Sequence, residues 1–128
     1  MASDRLISVV DDDASARTAI AALLRTCGFA SSLFATADDF LAALDSITTA
    51  CLIADMQMPG MSGLDLHRRV IASGHRFPTI LVTAYPDEAS RQAARDAGVQ
   101  AYLTKPITAE TLIACIAAAL ASSDRNVT

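Results

Sequence analysis

The sequence has no tryptophan, two tyrosines and a single lysine, Lys105, the other nine of its ten basic residues being arginines. Its three cysteines, Cys27, Cys51 and Cys115, are odd in number, far apart and each set in an apolar segment. That argues against a disulfide framework or a cysteine metal site and makes a reducing cytoplasm the expected location. Long apolar runs are also missing. The longest, Leu112 to Ala121, falls far short of the ~18 residues that span a bilayer. The N-terminal MASDRLISVVDDD has too short an apolar stretch for a signal peptide and ends in three acids. Basic charge is scarce: 10 Lys plus Arg against 14 Asp plus Glu gives a net charge of −4. Neither nucleic acid nor a membrane surface is therefore expected as a direct partner.

What is abundant is apolar. The hydrophobic set makes up 52% of 128 residues and charged residues only 19%, which excludes a disordered chain. The length suits one domain, with the polar stretch 122–128 expected as a frayed tail. Short apolar runs alternate with segments of helical period. Strands are expected at Leu6–Val10, Ser32–Ala35, Cys51–Ala54, Thr79–Val82 and Ala101–Leu103. Helices are expected from Ala14 to Cys27, after Thr36, from Ser62 to about Ala72, from Pro86 to Ala97 and after Thr108. Strand-then-helix alternation implies an α/β fold: a five-stranded parallel sheet, doubly wound, with helices on both faces. Ligands of such sheets bind beyond the carboxyl ends of the strands.

Those ends are polar. The first strand runs into Asp11-Asp12-Asp13, the third into Asp55, the fourth into Thr83 and the fifth into Thr104-Lys105-Pro106. Clustered carboxylates repel unless a cation sits among them, and oxygen ligands of this kind favour Mg²⁺. A helix N-terminus also attracts acids, which accounts for Asp13 as a cap and for Asp12 in part, but not for Asp55. Lys105 is either an incidental strand-end residue or an ammonium for one phosphate or carboxylate oxygen. Asp55 has the chemistry of a carboxylate nucleophile toward phosphorus.

These segments together resemble the receiver domain of bacterial two-component response regulators. The matching runs are Val9-Val-Asp-Asp-Asp13, Asp55-Met-Gln-Met-Pro-Gly-Met-Ser-Gly63, Val82-Thr-Ala84 and Tyr102-Leu-Thr-Lys-Pro106. The second of them is most similar to FixJ-type receivers, which usually precede a helix-turn-helix output domain; no such domain is expected here, residues 1–121 being the receiver. The resemblance implies the flavodoxin-like (βα)5 fold and a set of roles. Asp55 would be the phosphoacceptor, served by a sensor histidine kinase or a phosphotransfer protein. Asp11, Asp12, Asp55 and the Gln57 backbone carbonyl would hold Mg²⁺, with Mn²⁺ as a possible substitute. Thr83 and Lys105 would bind the phosphoryl group, Tyr102 would be the aromatic switch, and the bond before Pro106 would be cis. Gln57 and Tyr85 would flank the path of the hydrolytic water, a bulky Tyr85 slowing self-dephosphorylation. Phosphorylation would switch a surface around Arg91, Arg95 and Tyr102 toward a downstream partner, a missing output domain or a second copy. The chain would not be an enzyme beyond catalysing its own phosphorylation and dephosphorylation.

Other readings are weaker on the residues. A haloacid-dehalogenase-like phosphatase would need a second carboxylate where Gln57 stands. A degenerate receiver used only for binding would lack the acids, the Thr or the Lys. A nucleotide site would show glycines after the first strand, where three acids stand. Tyr102 has packing as an alternative role. His67 and His75 are expected at the surface, Met56, Met58 and Met61 in packing, and Gly60 and Gly63 in turns.

Overall fold

The computed structural model describes residues 6–127, with side chains through Ser122; the first five residues of the N-terminal stretch and Thr128 lie outside it. Five strands alternate with five helices: β1 (Leu6–Val10), α1 (Ala14–Thr26), β2 (Ala30–Phe34), α2 (Ala37–Ala43), β3 (Thr49–Asp55), α3 (Gly63–Ala72), β4 (Thr79–Thr83), α4 (Glu88–Asp96), β5 (Ala101–Thr104) and α5 (Ala109–Val127). The strands form one parallel sheet in the order β2-β1-β3-β4-β5. The order reverses at β1, so β1 and β3 are neighbours, and their carboxyl ends open onto the same crevice.

Strand residues alternate between two cores, as the two-residue period of a strand requires. Ile7, Val9, Cys51, Ile53, Ile80 and Val82 pack with Ile20 and Leu24 of α1 and with Leu112, Ile116 and Leu120 of α5. Val10, Leu52, Ala54 and Leu81 pack on the other side with Phe40 of α2, Leu64, Leu66 and Val70 of α3, and Ala94 of α4. The central strands β3 and β4 are buried along nearly their whole length, as a sheet covered on both faces demands.

Local caps fix where the helices start. Asp13, Thr36, Ser62 and Asp87 each accept a backbone N–H from the first turn of the helix that follows. The fourth helix therefore begins at Glu88, and Pro86 stays in the preceding loop. β2 begins two residues earlier than its apolar run, at Ala30, because its register with β1 pairs Leu6 with Ala30. β3 extends back to Thr49, whose hydroxyl meets that of Ser8 at 2.8 Å inside the sheet. α5 runs on into the polar stretch 122–128 as far as Val127. It holds no glycine or proline to end the helix.

Candidate functional site

Asp11 follows β1, Asp55 ends β3, Thr83 ends β4 and Lys105 follows β5, so four chain segments deliver one side chain each to the same edge of the sheet. Asp11 and Asp55 are buried, and Asp12 is exposed beside them. One carboxylate oxygen from each of the three lies within 4.8 Å of the others. The Lys105 ammonium joins two of them, donating to Asp11 Oδ2 at 3.0 Å and to Asp55 Oδ2 at 2.9 Å. Backbone amides take the other carboxylate oxygens: Asp13 N–H donates to Asp11 Oδ1 at 2.9 Å, and Gln57 N–H to Asp55 Oδ1 at 3.0 Å.

The electrostatics follow from this packing. Burial pushes the Asp11 carboxyl above the usual aspartate value, the nearby Asp55 charge adds to the rise, and the bonds from Asp13 and Lys105 oppose it without cancelling it. Burial works against the Lys105 charge, but its bonds to Asp55 and Asp11 outweigh that, so the ammonium is held above the ordinary lysine value. The donor set suits a hard divalent cation: three carboxylates close together, one of them exposed, leaving an open side for water.

Thr83 is fully buried, and its hydroxyl both donates and accepts. It donates to Gln57 Oε1 at 2.6 Å and accepts the Tyr85 N–H at 3.0 Å. The Tyr85 side chain itself is 76% exposed, so in this conformation it gives the site little cover. The Tyr102 ring lies under the Arg91 guanidinium, 5.0 Å from its centroid, and its hydroxyl is buried with no hydrogen-bond partner. An unpartnered buried hydroxyl costs about 1–3 kcal/mol, so packing and the cation–π contact hold this ring in place. The Lys105–Pro106 peptide bond is cis. Met56, Met58 and Met61 pack against the α2–α4 core. Gly60 has φ +83°, a turn conformation open to glycine, whereas Gly63 serves a close approach: a Cβ there would lie 2.5 Å from the Asp55 carbonyl oxygen.

Two residues fall outside the sequence expectations. His67 is not at the surface. It is 3% exposed, with Nδ1 2.8 Å from Thr79 Oγ1 and Nε2 donating to the Ala97 carbonyl at 2.9 Å, and so it ties α3 to β4 and to the end of α4. Its spacing from Leu64 and Val70, three residues each way, was the available signal. His75 is partly exposed and sits 3.1 Å from Asp45. Arg17, one turn into α1, donates to the Asp11 carbonyl oxygen at 2.6 Å and brings a further positive charge to the site's rim. Nothing in the sequence singled it out from the other arginines.

Comparison with known proteins gives the family and the fold. The family model of the response regulator receiver domain matches residues 7–117. The transcriptional regulatory protein FixJ of Bradyrhizobium diazoefficiens is 34% identical over 118 residues, 92% of this chain and 58% of that protein. The response regulator protein TodT of Pseudomonas putida is 36% identical over 120 residues, 92% of this chain and 53% of that protein. The solved structure of FixJ-N superposes with a TM-score of 0.84 at 29% identity, covering 91% of this chain and 93% of that one. The chain thus spans little more than half the length of these curated relatives. No helix among the described residues is long and apolar enough to cross a membrane. A family model covering most of the chain, FixJ relatives at 34% identity and a doubly wound sheet with acids, Thr and Lys at its carboxyl edge lead to one conclusion: the chain belongs to the response regulator receiver domains of two-component signalling, of the FixJ type.

Proposed function

We propose that Asp55 accepts a phosphoryl group from the phosphohistidine of a sensor kinase or phosphotransfer protein. The observation that carries this is the Lys105 ammonium held 2.9 Å from the Asp55 carboxylate, with Asp11 and Asp12 within 4.8 Å, at the carboxyl edge of the sheet. An Asp55 carboxylate oxygen would form the new O–P bond while the donor's N–P bond breaks and its imidazole leaves. Phosphoryl transfer asks for positioning and charge neutralisation more than for added chemistry. Lys105 and the Thr83 hydroxyl supply part of that to the transferring oxygens. Asp11, Asp12, Asp55 and the Gln57 carbonyl would hold Mg²⁺, or Mn²⁺ with the same oxygen preference, which when bound neutralises the remaining negative charge. The chain would catalyse its own modification without turning over a separate substrate.

The modified state would draw Thr83 toward the phosphoryl group, and the surface around Arg91, Arg95 and Tyr102 would report it to a downstream protein, an output domain or a second copy. The test is intact mass after incubation with acetyl phosphate and Mg²⁺. A single phosphoryl adduct should form, and it should be lost in Asp55→Asn and with a chelator present. An adduct that survives Asp55→Asn would overturn the assignment.

A further inference from the structure

A hydroxyl has one proton to donate. In this structure Thr83 gives its proton to Gln57 Oε1 at 2.6 Å, while the Tyr85 N–H occupies one of its lone pairs. Thr83 cannot donate to a phosphoryl oxygen until Gln57 lets go. The two partners differ in what release costs. Thr83 is fully buried and needs a partner for its proton, whereas Gln57 is exposed and can turn its carboxamide to water. Gln57 also touches the other end of the site, since its main-chain N–H donates to Asp55 Oδ1 at 3.0 Å.

We propose that the Gln57 side chain is a latch that holds Thr83 in the unmodified conformation and that phosphorylation must open. Gln57 is thus a positioning residue acting through Thr83. The inference deepens the reading of Asp55 as phosphoacceptor and rests on it. On modification the Thr83 O–H turns from Gln57 Oε1 to a phosphoryl oxygen, one acceptor replacing another, and the carboxamide is released to solvent. Removing the carboxamide takes away a bond that exists only in the resting state, which favours the switched state.

Two measurements test this. The first uses the unmodified protein with chelator present and reads the Thr83 χ1 angle from three-bond couplings by NMR. Wild type and Gln57→Glu, which keeps an acceptor, should show one rotamer, and Gln57→Ala should average over several. A single unchanged rotamer in Gln57→Ala overturns the latch. The second titrates beryllofluoride with Mg²⁺, a phosphoryl mimic that does not hydrolyse, so that any effect of Gln57 on dephosphorylation is excluded. Gln57→Ala should bind it about two- to fivefold more tightly, the range expected for losing one partly exposed hydrogen bond. In a Thr83→Ala background the same substitution should have no effect. A gain that persists without Thr83, or no gain at all, overturns the latch. Wild type that takes neither beryllofluoride nor a phosphoryl group would overturn the Asp55 reading instead, and the latch as a device of phosphorylation with it.

Discussion

Replacing Lys105 by methionine keeps the length of the side chain and removes the cation that bridges Asp11 and Asp55. Each contact lies at 2.9–3.0 Å. At an effective dielectric near 20 such a pair attracts by roughly 5 kcal/mol, most of which is offset by holding the charges out of water. Removing one partner from a buried charge cluster generally costs about 3–5 kcal/mol, because the remaining charges are left uncompensated. Two features reduce that here. The Lys105 side chain is 22% exposed, against 1% for Asp11 and 8% for Asp55, and burial holds the Asp11 carboxyl above the usual aspartate value, so its charge is easier to give up. We expect Lys105→Met to lose about 2 kcal/mol at pH 7 in the presence of a chelator.

Mg²⁺ should reverse much of this. In the variant the ion would bind carboxylates that no longer have a competing ammonium, so its affinity should rise. Binding to the folded state alone adds about 2.7 kcal/mol at a hundredfold excess over Kd. Urea melts of wild type and variant, in chelator and in millimolar Mg²⁺, read both effects. The gap of about 2 kcal/mol should fall below ~1 kcal/mol when Mg²⁺ saturates both proteins. A gap of the same size in both buffers, or weaker Mg²⁺ binding by the variant, would refute the view that Lys105 and the metal share these carboxylates.

Gly63→Ala sets helix propensity against packing. Alanine is favoured by up to ~1 kcal/mol inside a helix, but its Cβ would stand 2.5 Å from the Asp55 carbonyl oxygen and 2.9 Å from Leu81 Cδ2. Overpacking of this kind costs about 1–3 kcal/mol, so a net loss of about 1 kcal/mol is expected in a urea melt; a neutral or stabilised variant would show that α3 can shift freely. Asp87→Ala removes the α4 cap, in which the carboxylate accepts the Ser90 N–H at 2.7 Å. Backbone and side-chain bonds from Ser90 hold this carboxyl below the usual aspartate value of 3.8. A lowered pKa contributes stability that is complete above 3.8 and is lost as pH falls through the folded value. The wild-type advantage over Asp87→Ala should therefore shrink on strong acidification, and a pH-independent difference would count against a charged cap.

The alternation of strands and helices was legible because each element carries its own period, and the acids, Thr83 and Lys105 were legible because the chain places them directly after apolar runs. Convergence of residues 11, 55, 83 and 105 needs only the rule that parallel strands end on the same side. Element boundaries followed a different logic. β2 starts at Ala30 because β1 sets its register, and α4 starts at Glu88 because Asp87 caps it. Neither partner is visible from hydropathy alone.

His67 shows a signal that was present but read the wrong way. Arg68 and Arg69 beside it are exposed, yet the helical period from Leu64 to Val70 puts residue 67 on the buried stripe. A polar residue on that stripe must find partners, and Thr79 Oγ1 and the Ala97 carbonyl provide one for each ring nitrogen. The Gln57–Thr83 bond is a different case. The residues are 26 positions apart, Gln57 in the loop after β3 and Thr83 at the end of β4, and the contact depends on the rotamer of an exposed side chain. Sequence spacing shows that both residues lie near the Asp55 carboxylate. It carries no information about which group holds the Thr83 proton while the site waits, and that choice is what the latch turns on.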